Sequence, residues 1–283
     1  VELAFSKMHG IGNDFVLIDD RAGLIEKAFA YSGLSRAVCD RNFGIGGDGL
    51  IVISESQTCD LKFSIYNQDG SQPEMCGNGM RCFAKLAYET GVVGKKRFAV
   101  ETLSGVIRPE VIVGSAGNVD AVRVDMGGPV YRAEQVPFLS EREVAVSEPL
   151  ILPGSVVAVT AVSMGNPHAV VFVDDLAEID VRGAGALIET HARFPVGANV
   201  EFVQVIGDSE IRMRVWERGV GETLACGTGA CAALVAARLN GKTGDSATVH
   251  LAGGDLLIEW DRATDSIFKT GPAAMVFAGT MVL

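Results

Sequence analysis

Cys76-Gly77-Asn78-Gly79 running into Met80-Arg81-Cys82-Phe83-Ala84-Lys85-Leu86-Ala87 is one half of a pattern that the chain writes twice. The other half is Cys226-Gly227-Thr228-Gly229 running into Ala230-Cys231-Ala232-Ala233-Leu234-Val235-Ala236-Ala237, 150 residues later. At the same offset Gly91 matches Gly241, Gly94 matches Gly244, and Tyr66-Asn67 matches Trp216-Glu217. One residue out of frame, Val100 to Val113 matches Val249 to Trp260 with Gly105 opposite Gly254, and Gly12-Asn13 returns as Gly165-Asn166 at offset 153. Matches in one order along the chain mark an internal duplication, and hence two domains of related fold.

Each glycine-cysteine turn precedes a helical pattern. Met80, Phe83, Ala84 and Ala87 fall at i, i+3, i+4 and i+7, as do Ala230, Ala233, Leu234 and Ala237. The second segment is apolar almost all round, which predicts a helix buried inside its domain, and Gly91 and Gly241 are C-terminal stops. Short runs rich in valine and isoleucine read as strands: Phe15 to Ile18, Leu50 to Ile53, Leu61 to Tyr66, Val111 to Val113, Val122 to Asp125, Val156 to Val162, Val200 to Val205 and Ile211 to Val215. Each half is therefore several strands around one helix, an α+β arrangement. The expected domains are residues 1–118 and 119–273, with a last strand at 274–283 crossing back to the first.

The chain has 283 residues, enough for two cores. Its net charge of −11 repels phosphate backbones and anionic lipid, so nucleic-acid and membrane partners are not expected. No apolar run approaches the roughly 18–20 residues of a membrane span. The six cysteines, Cys39, Cys59, Cys76, Cys82, Cys226 and Cys231, include no Cys-x-x-Cys pair, and there are only four histidines. A structural zinc is not expected, and a reducing compartment is. Bacterial cytosol is the default location, with plastid stroma the alternative for a chain trimmed of a transit peptide. The sequence leaves the oligomeric state open, a homodimer included.

A thiol at a helix N-terminus meets unpaired N–H groups and the positive end of the backbone dipole, which push it toward thiolate. Glycines beside it let a carboxylate approach those N–H groups. Two such thiols, related by a duplication, suit inversion of a stereocentre: one removes a proton from one face, the other delivers a proton to the opposite face. Neither a metal nor a pyridoxal cofactor need be invoked. Cys39, Cys59, Cys82 and Cys231 lack this placement and read as structural.

The chain resembles diaminopimelate epimerases over nearly its whole length. The resemblance is carried by Lys7-Met8-His9-Gly10-Ile11-Gly12-Asn13-Asp14-Phe15, Asn67-Gln68-Asp69-Gly70-Ser71, Glu74 to Cys82, Ser163-Met164-Gly165-Asn166-Pro167-His168, Trp216-Glu217-Arg218-Gly219, and Gly221-Glu222-Thr223 with Ala225 to Gly229. It implies two pseudo-symmetric α/β domains, each a barrel-like mixed β-sheet around a central helix, with the substrate in the cleft. It implies cofactor-independent conversion of L,L- to meso-2,6-diaminopimelate in lysine biosynthesis, with Cys76 and Cys226 as the bases. His168 and Glu217 would assist proton handling. Asn13, Asn78, Glu217, Gly227 and Thr228 would surround the reacting end, with N–H groups after each cysteine, at Gly77 and Gly227, taking its carboxylate. Asn67, Asn166, Asn199 and Arg218 would grip the far amino-acid end. Some members carry a glutamine after the glycine-rich Gly44-Ile45-Gly46-Gly47-Asp48 stretch, where this chain has Gly49. The alternatives are a proline or hydroxyproline racemase, which needs no grip on a second amino-acid end, a thiol redox protein, and a non-catalytic amino-acid binder.

Overall fold

The computed structural model describes residues 2–283. Two compact units divide the chain: residues through Asp125 together with Thr270–Leu283, and Met126–Lys269.

In the first unit, β1 (Glu2–Gly10), β2 (Asn13–Asp19), β3 (Gly49–Ser54), β4 (Leu61–Asn67), β5 (Val100–Thr102) and β6 (Gly105–Ile107) lie side by side in chain order. The C-terminal strand, Ala274–Val282, pairs antiparallel with the outer edge of β1. The sheet is mixed, because β2–β3 and β4–β5 run parallel while their neighbours run antiparallel. A parallel pair needs a crossover. The first crossover carries α1 (Leu24–Ala28) and α2 (Tyr31–Val38); the second carries α3 (Gly77–Glu89). The hairpin of β7 (Glu110–Val113) and β8 (Val119–Asp125) packs on α3. For this reason the division falls after Asp125 and not near residue 118, where the glycine-containing turn lies inside the hairpin.

The second unit repeats the plan. Its strands are β9 (Glu148–Leu152), β10 (Ser155–Ser163), β11 (Pro167–Phe172), β12 (Asn199–Gly207), β13 (Glu210–Glu217), β14 (Gly221–Thr223), β15 (Ser246–Leu251), β16 (Gly254–Asp261) and β17 (Ser266–Gly271). They are ordered β17-β16-β15-β13-β12-β11-β10-β9, with β14 beside β13. The parallel pair β11–β12 is bridged by α4 (Val181–Glu189), and the parallel pair β13–β15 by α5 (Gly227–Leu239). The C-terminal strand is β18. Each unit is thus a mixed sheet about one central helix, the α+β fold expected from the repeat.

The central helices are where the sequence places them. Met80, Phe83, Ala84 and Ala87 of α3 are all buried, and Phe83 meets Phe63 edge-to-face at 5.4 Å. Nine consecutive residues of α5, Gly229 to Ala237, are buried, as its uniformly apolar composition predicts. Gly91 and Gly241 follow the two helices with φ of 73° and 66°, the left-handed stop that glycine accepts. Among the described residues no helix is long and apolar enough to cross a membrane.

Candidate active site

Cys76 is the N-cap of α3 and Cys226 the N-cap of α5, both with extended backbone. The two caps are near copies: each Sγ accepts the N–H three residues on, Gly79 or Gly229, at 3.4 Å. This is the bond that a serine or threonine cap makes, with sulfur in place of oxygen. Close approach limits the room for a side chain at both glycines. A Cβ on Gly79 would lie 2.9 Å from Ile51 Cδ1, and one on Gly229 would lie 2.6 Å from Glu201 Oε1. Ile51 and Glu201 are themselves 150 residues apart, so the duplication places an isoleucine under one thiol helix and a carboxylate under the other.

That difference changes the thiols' surroundings. Cys226 is buried, and burial, then the nearby charges of Glu217 and Glu201, push its thiol up; the Thr228 hydroxyl and Gly229 N–H oppose them and lose. The expectation of a thiol pushed toward thiolate therefore fails for Cys226, because desolvation and two carboxylates outweigh one helix end. Glu217 is also raised, first by burial and then by Glu201, against hydrogen bonds from the Thr223 hydroxyl and the Cys226 thiol. Thiol and carboxylate thus lie close enough for each to act on the other. Cys76 is only half-buried, and its Sγ lies 3.8 Å from Asn13 Oδ1, which also accepts from Asn78 Nδ2 at 3.3 Å.

His168 is fully buried. Its Nδ1 is 2.7 Å from Glu201 Oε1, and its Nε2 is 3.0 Å from Asn166 Oδ1. Each ring nitrogen thus faces an oxygen, one of a carboxylate and one of an amide. Glu201 Oε2 has no hydrogen-bond partner among the described residues. His168 thus links Glu201 to Asn166 within the second unit.

The remaining expected residues divide between the units. Gly77 and Asn78 open α3, and Gly227 and Thr228 open α5, with Thr228 Oγ1 3.5 Å from Cys226 Sγ. Asn67 ends β4 with its amide donating to the Ser71 hydroxyl at 2.9 Å. Asn199 donates to the Pro167 carbonyl and accepts from the Arg218 N–H at 3.0 Å, so it braces the segment that bears Arg218. Arg218 is exposed and holds the Val196 carbonyl with one Nη. At Gly49 a Cβ would lie 2.7 Å from the Tyr66 carbonyl, so this chain has no room there for the glutamine of some relatives.

Sequence reasoning missed Glu201, Thr223 and Asp48. Glu201 left one signal, a lone carboxylate within the apolar run Val200 to Val205. A buried charge in a strand demands a partner. All six cysteines are free thiols. Among the described residues no cluster of three or more His, Cys, Asp or Glu is placed to hold a metal ion.

The diaminopimelate epimerase family model matches residues 5–132 and 160–276. A diaminopimelate epimerase of Desulforapulum autotrophicum is 57% identical over 279 residues, covering 99% of both chains. One of Moorella thermoacetica is 50% identical over 280 residues, again covering 99% of each. Among solved structures, a hydroxyproline epimerase from Agrobacterium vitis with bound trans-4-hydroxy-L-proline matches with TM-score 0.70 at 16% identity, over all of this chain and 93% of that one. A Bacillus anthracis phenazine biosynthesis protein of the PhzF family matches with TM-score 0.72 at 15% identity, over the full length of both. These distant likenesses show the shared fold; the family model and the near-full-length relatives show more, and the chain belongs to the diaminopimelate epimerase family.

Proposed function

We propose that this protein interconverts L,L- and meso-2,6-diaminopimelate, a step of lysine biosynthesis, by moving protons at one α-carbon with Cys76 and Cys226. The observation that carries the reading is the pair of matched thiol N-caps, one in each copy of a duplicated fold. Inversion requires one group to take a proton and a second to give one on the opposite face, and groups of one chemical kind can exchange those roles for the reverse direction. The free N–H groups opening α3 and α5 suit a substrate carboxylate, where charge builds as the α-proton leaves. Glu217 takes the proton of Cys226 when that thiol must act as base. Arg218, braced by Asn199, and Asn166, held by His168, supply donors for the distal carboxylate.

Chemistry that needs two free thiols fits a reducing compartment, and we propose the cytosol. We also propose a homodimer as the working assembly, supported by the exposed apolar strand β18.

The test is α-proton exchange in deuterated water with L,L-diaminopimelate, reductant and no added cofactor, for wild type, Cys76→Ala and Cys226→Ala. Deuterium incorporation with formation of the meso isomer, abolished in both variants, is expected. Exchange with proline or hydroxyproline but not diaminopimelate would reassign the substrate, and full activity in either variant would refute the two-thiol reading.

A further inference from the structure

The glycine-rich turn that leads into β3 has no part in the chemistry above, yet it carries a side chain that reaches it. The turn is pinned by its backbone: Gly44 N–H bonds the Asp40 carbonyl at 3.0 Å, Ile45 and Gly46 both bond the Val38 carbonyl at 2.9 Å, and Asp48 bonds the Asp14 carbonyl at 2.7 Å. Asp48 is therefore presented from a fixed frame. Its Oδ2 accepts from Asn13 Nδ2 at 2.7 Å and from the Asp14 N–H at 3.0 Å, and its Oδ1 accepts from Arg41 Nη2 at 2.8 Å.

A carboxylate only accepts, so Asn13 must turn its NH2 to Asp48 and its carbonyl oxygen away. That oxygen is the atom facing Cys76 Sγ at 3.8 Å and receiving Asn78 Nδ2 at 3.3 Å. Asn78 then has its own oxygen turned to Arg81, whose Nη1 donates at 2.9 Å. Arg81 is wholly buried, anchors also to the Pro272 carbonyl at 3.1 Å, and cannot accept. An acceptor-only group closes one end of the chain and a donor-only group the other. Neither amide can flip without breaking a bond to an end that cannot adapt.

We propose that Asp48 and Arg81 are positioning residues that fix the polarity of the Asn13–Asn78 pair, so that Cys76 faces a carbonyl oxygen and not an amide NH2. The consequence rests on Cys76 acting in proton transfer as proposed above. A carbonyl oxygen holds the S–H form in place as a proton donor; a flipped amide would donate to sulfur and hold the thiolate instead.

The experiment measures iodoacetamide alkylation of Cys76 at neutral pH, by peptide mass spectrometry on the full chain without substrate, beside kcat and KM for diaminopimelate. Asp48→Asn keeps the shape but lets the end of the chain either donate or accept. It should speed Cys76 alkylation by roughly three- to tenfold, the worth of one hydrogen bond, and lower kcat by about tenfold with KM nearly unchanged. In an Asn13→Ala background the same substitution should change neither quantity, since the effect travels through Asn13. Equal effects in both backgrounds, or none in Asp48→Asn, would overturn the proposal. Should Asp48→Asn fail to fold, hydrogen exchange of the Asn13 side-chain amide in wild type decides: slowed exchange supports the fixed polarity, and exchange as fast as an exposed asparagine overturns it. Wild type without turnover, but with the alkylation cycle as described, would refute the function and leave the positioning intact.

Discussion

Gly79 and Gly229 occupy one place in two copies of a motif, but their neighbours make them unequal. A Cβ at Gly79 meets the tip of Ile51, a flexible apolar end, with the next atoms no nearer than 3.6 Å. A Cβ at Gly229 meets Glu201 Oε1 at 2.6 Å and Cys226 Sγ at 3.2 Å. Glu201 cannot yield freely, because that same oxygen holds the His168 ring. Gly79→Ala should therefore cost under about 1 kcal/mol, the small overlap being offset by the higher helix propensity of alanine. Gly229→Ala should cost about 2–3 kcal/mol through overpacking and should also depress turnover by displacing Cys226. Urea unfolding and turnover of the two variants test this; equal losses would show that the carboxylate under α5 is not the constraint described.

At the scale of elements, the duplication extends beyond the segments that announce it in the sequence. The paired crossovers α2 and α4 were not legible, and their buried stripes show why. In α2 the stripe is Tyr31, Leu34, Ser35 and Val38, where Ser35 breaks an otherwise apolar period because its hydroxyl bonds the Asn67 carbonyl at 2.6 Å. In α4 it is Val181, Gly185 and Ile188, with Gly185 left bare so that the Trp216 ring can lie against it. The cysteine turns and central helices were legible because their signal is local. Asp48 and Glu201 were not, since the side chains they hold, Asn13 and His168, lie 35 and 33 positions away and are brought near by the pairing of strands. The same register builds an ion cluster joining β1, β2 and the loop after α2: Lys7 and Arg41 both bond Asp14. Burial alone would raise the Asp14 carboxyl, but the two cations outweigh it and bring it from 3.8 to about 2. Because the folded value lies below the unfolded one, the cluster's contribution is complete above about pH 4 and vanishes as pH falls through about 2. Asp14→Asn should thus cost about 2 kcal/mol near neutrality, with the gap to wild type closing over that acid window in urea titrations. A gap that stays constant with pH would mean the substitution acts by packing rather than by charge.

For the molecule as a whole, the feature left unexplained by its own fold is the outer edge of β18. One side of this strand pairs with β1; the other side ends the sheet. Seven of its nine residues, from Met275 to Val282, are exposed apart from Met281, and Met275, Val276, Phe277 and Val282 are large and apolar. Edge strands that must stay single usually carry lysine, proline or a bulge on the free side, and β18 has no charged residue or proline at all. The one register shift against β1 falls at Val276, and from Phe277 to Val282 the pairing is continuous, so most of the strand is a regular edge. The homodimer proposed above would cover it with a second copy, because an edge strand meeting itself about a two-fold axis is self-complementary and closes the assembly at two. Light scattering during size exclusion should therefore give twice the 29.8 kDa of one chain, and the unfolding midpoint should rise with protein concentration, as linkage to assembly requires. Val276→Lys, which sets a charge on that edge, should shift the mass to a single chain and remove the concentration dependence. A wild-type mass of one chain at micromolar concentrations would leave β18 an exposed edge and the protein a monomer.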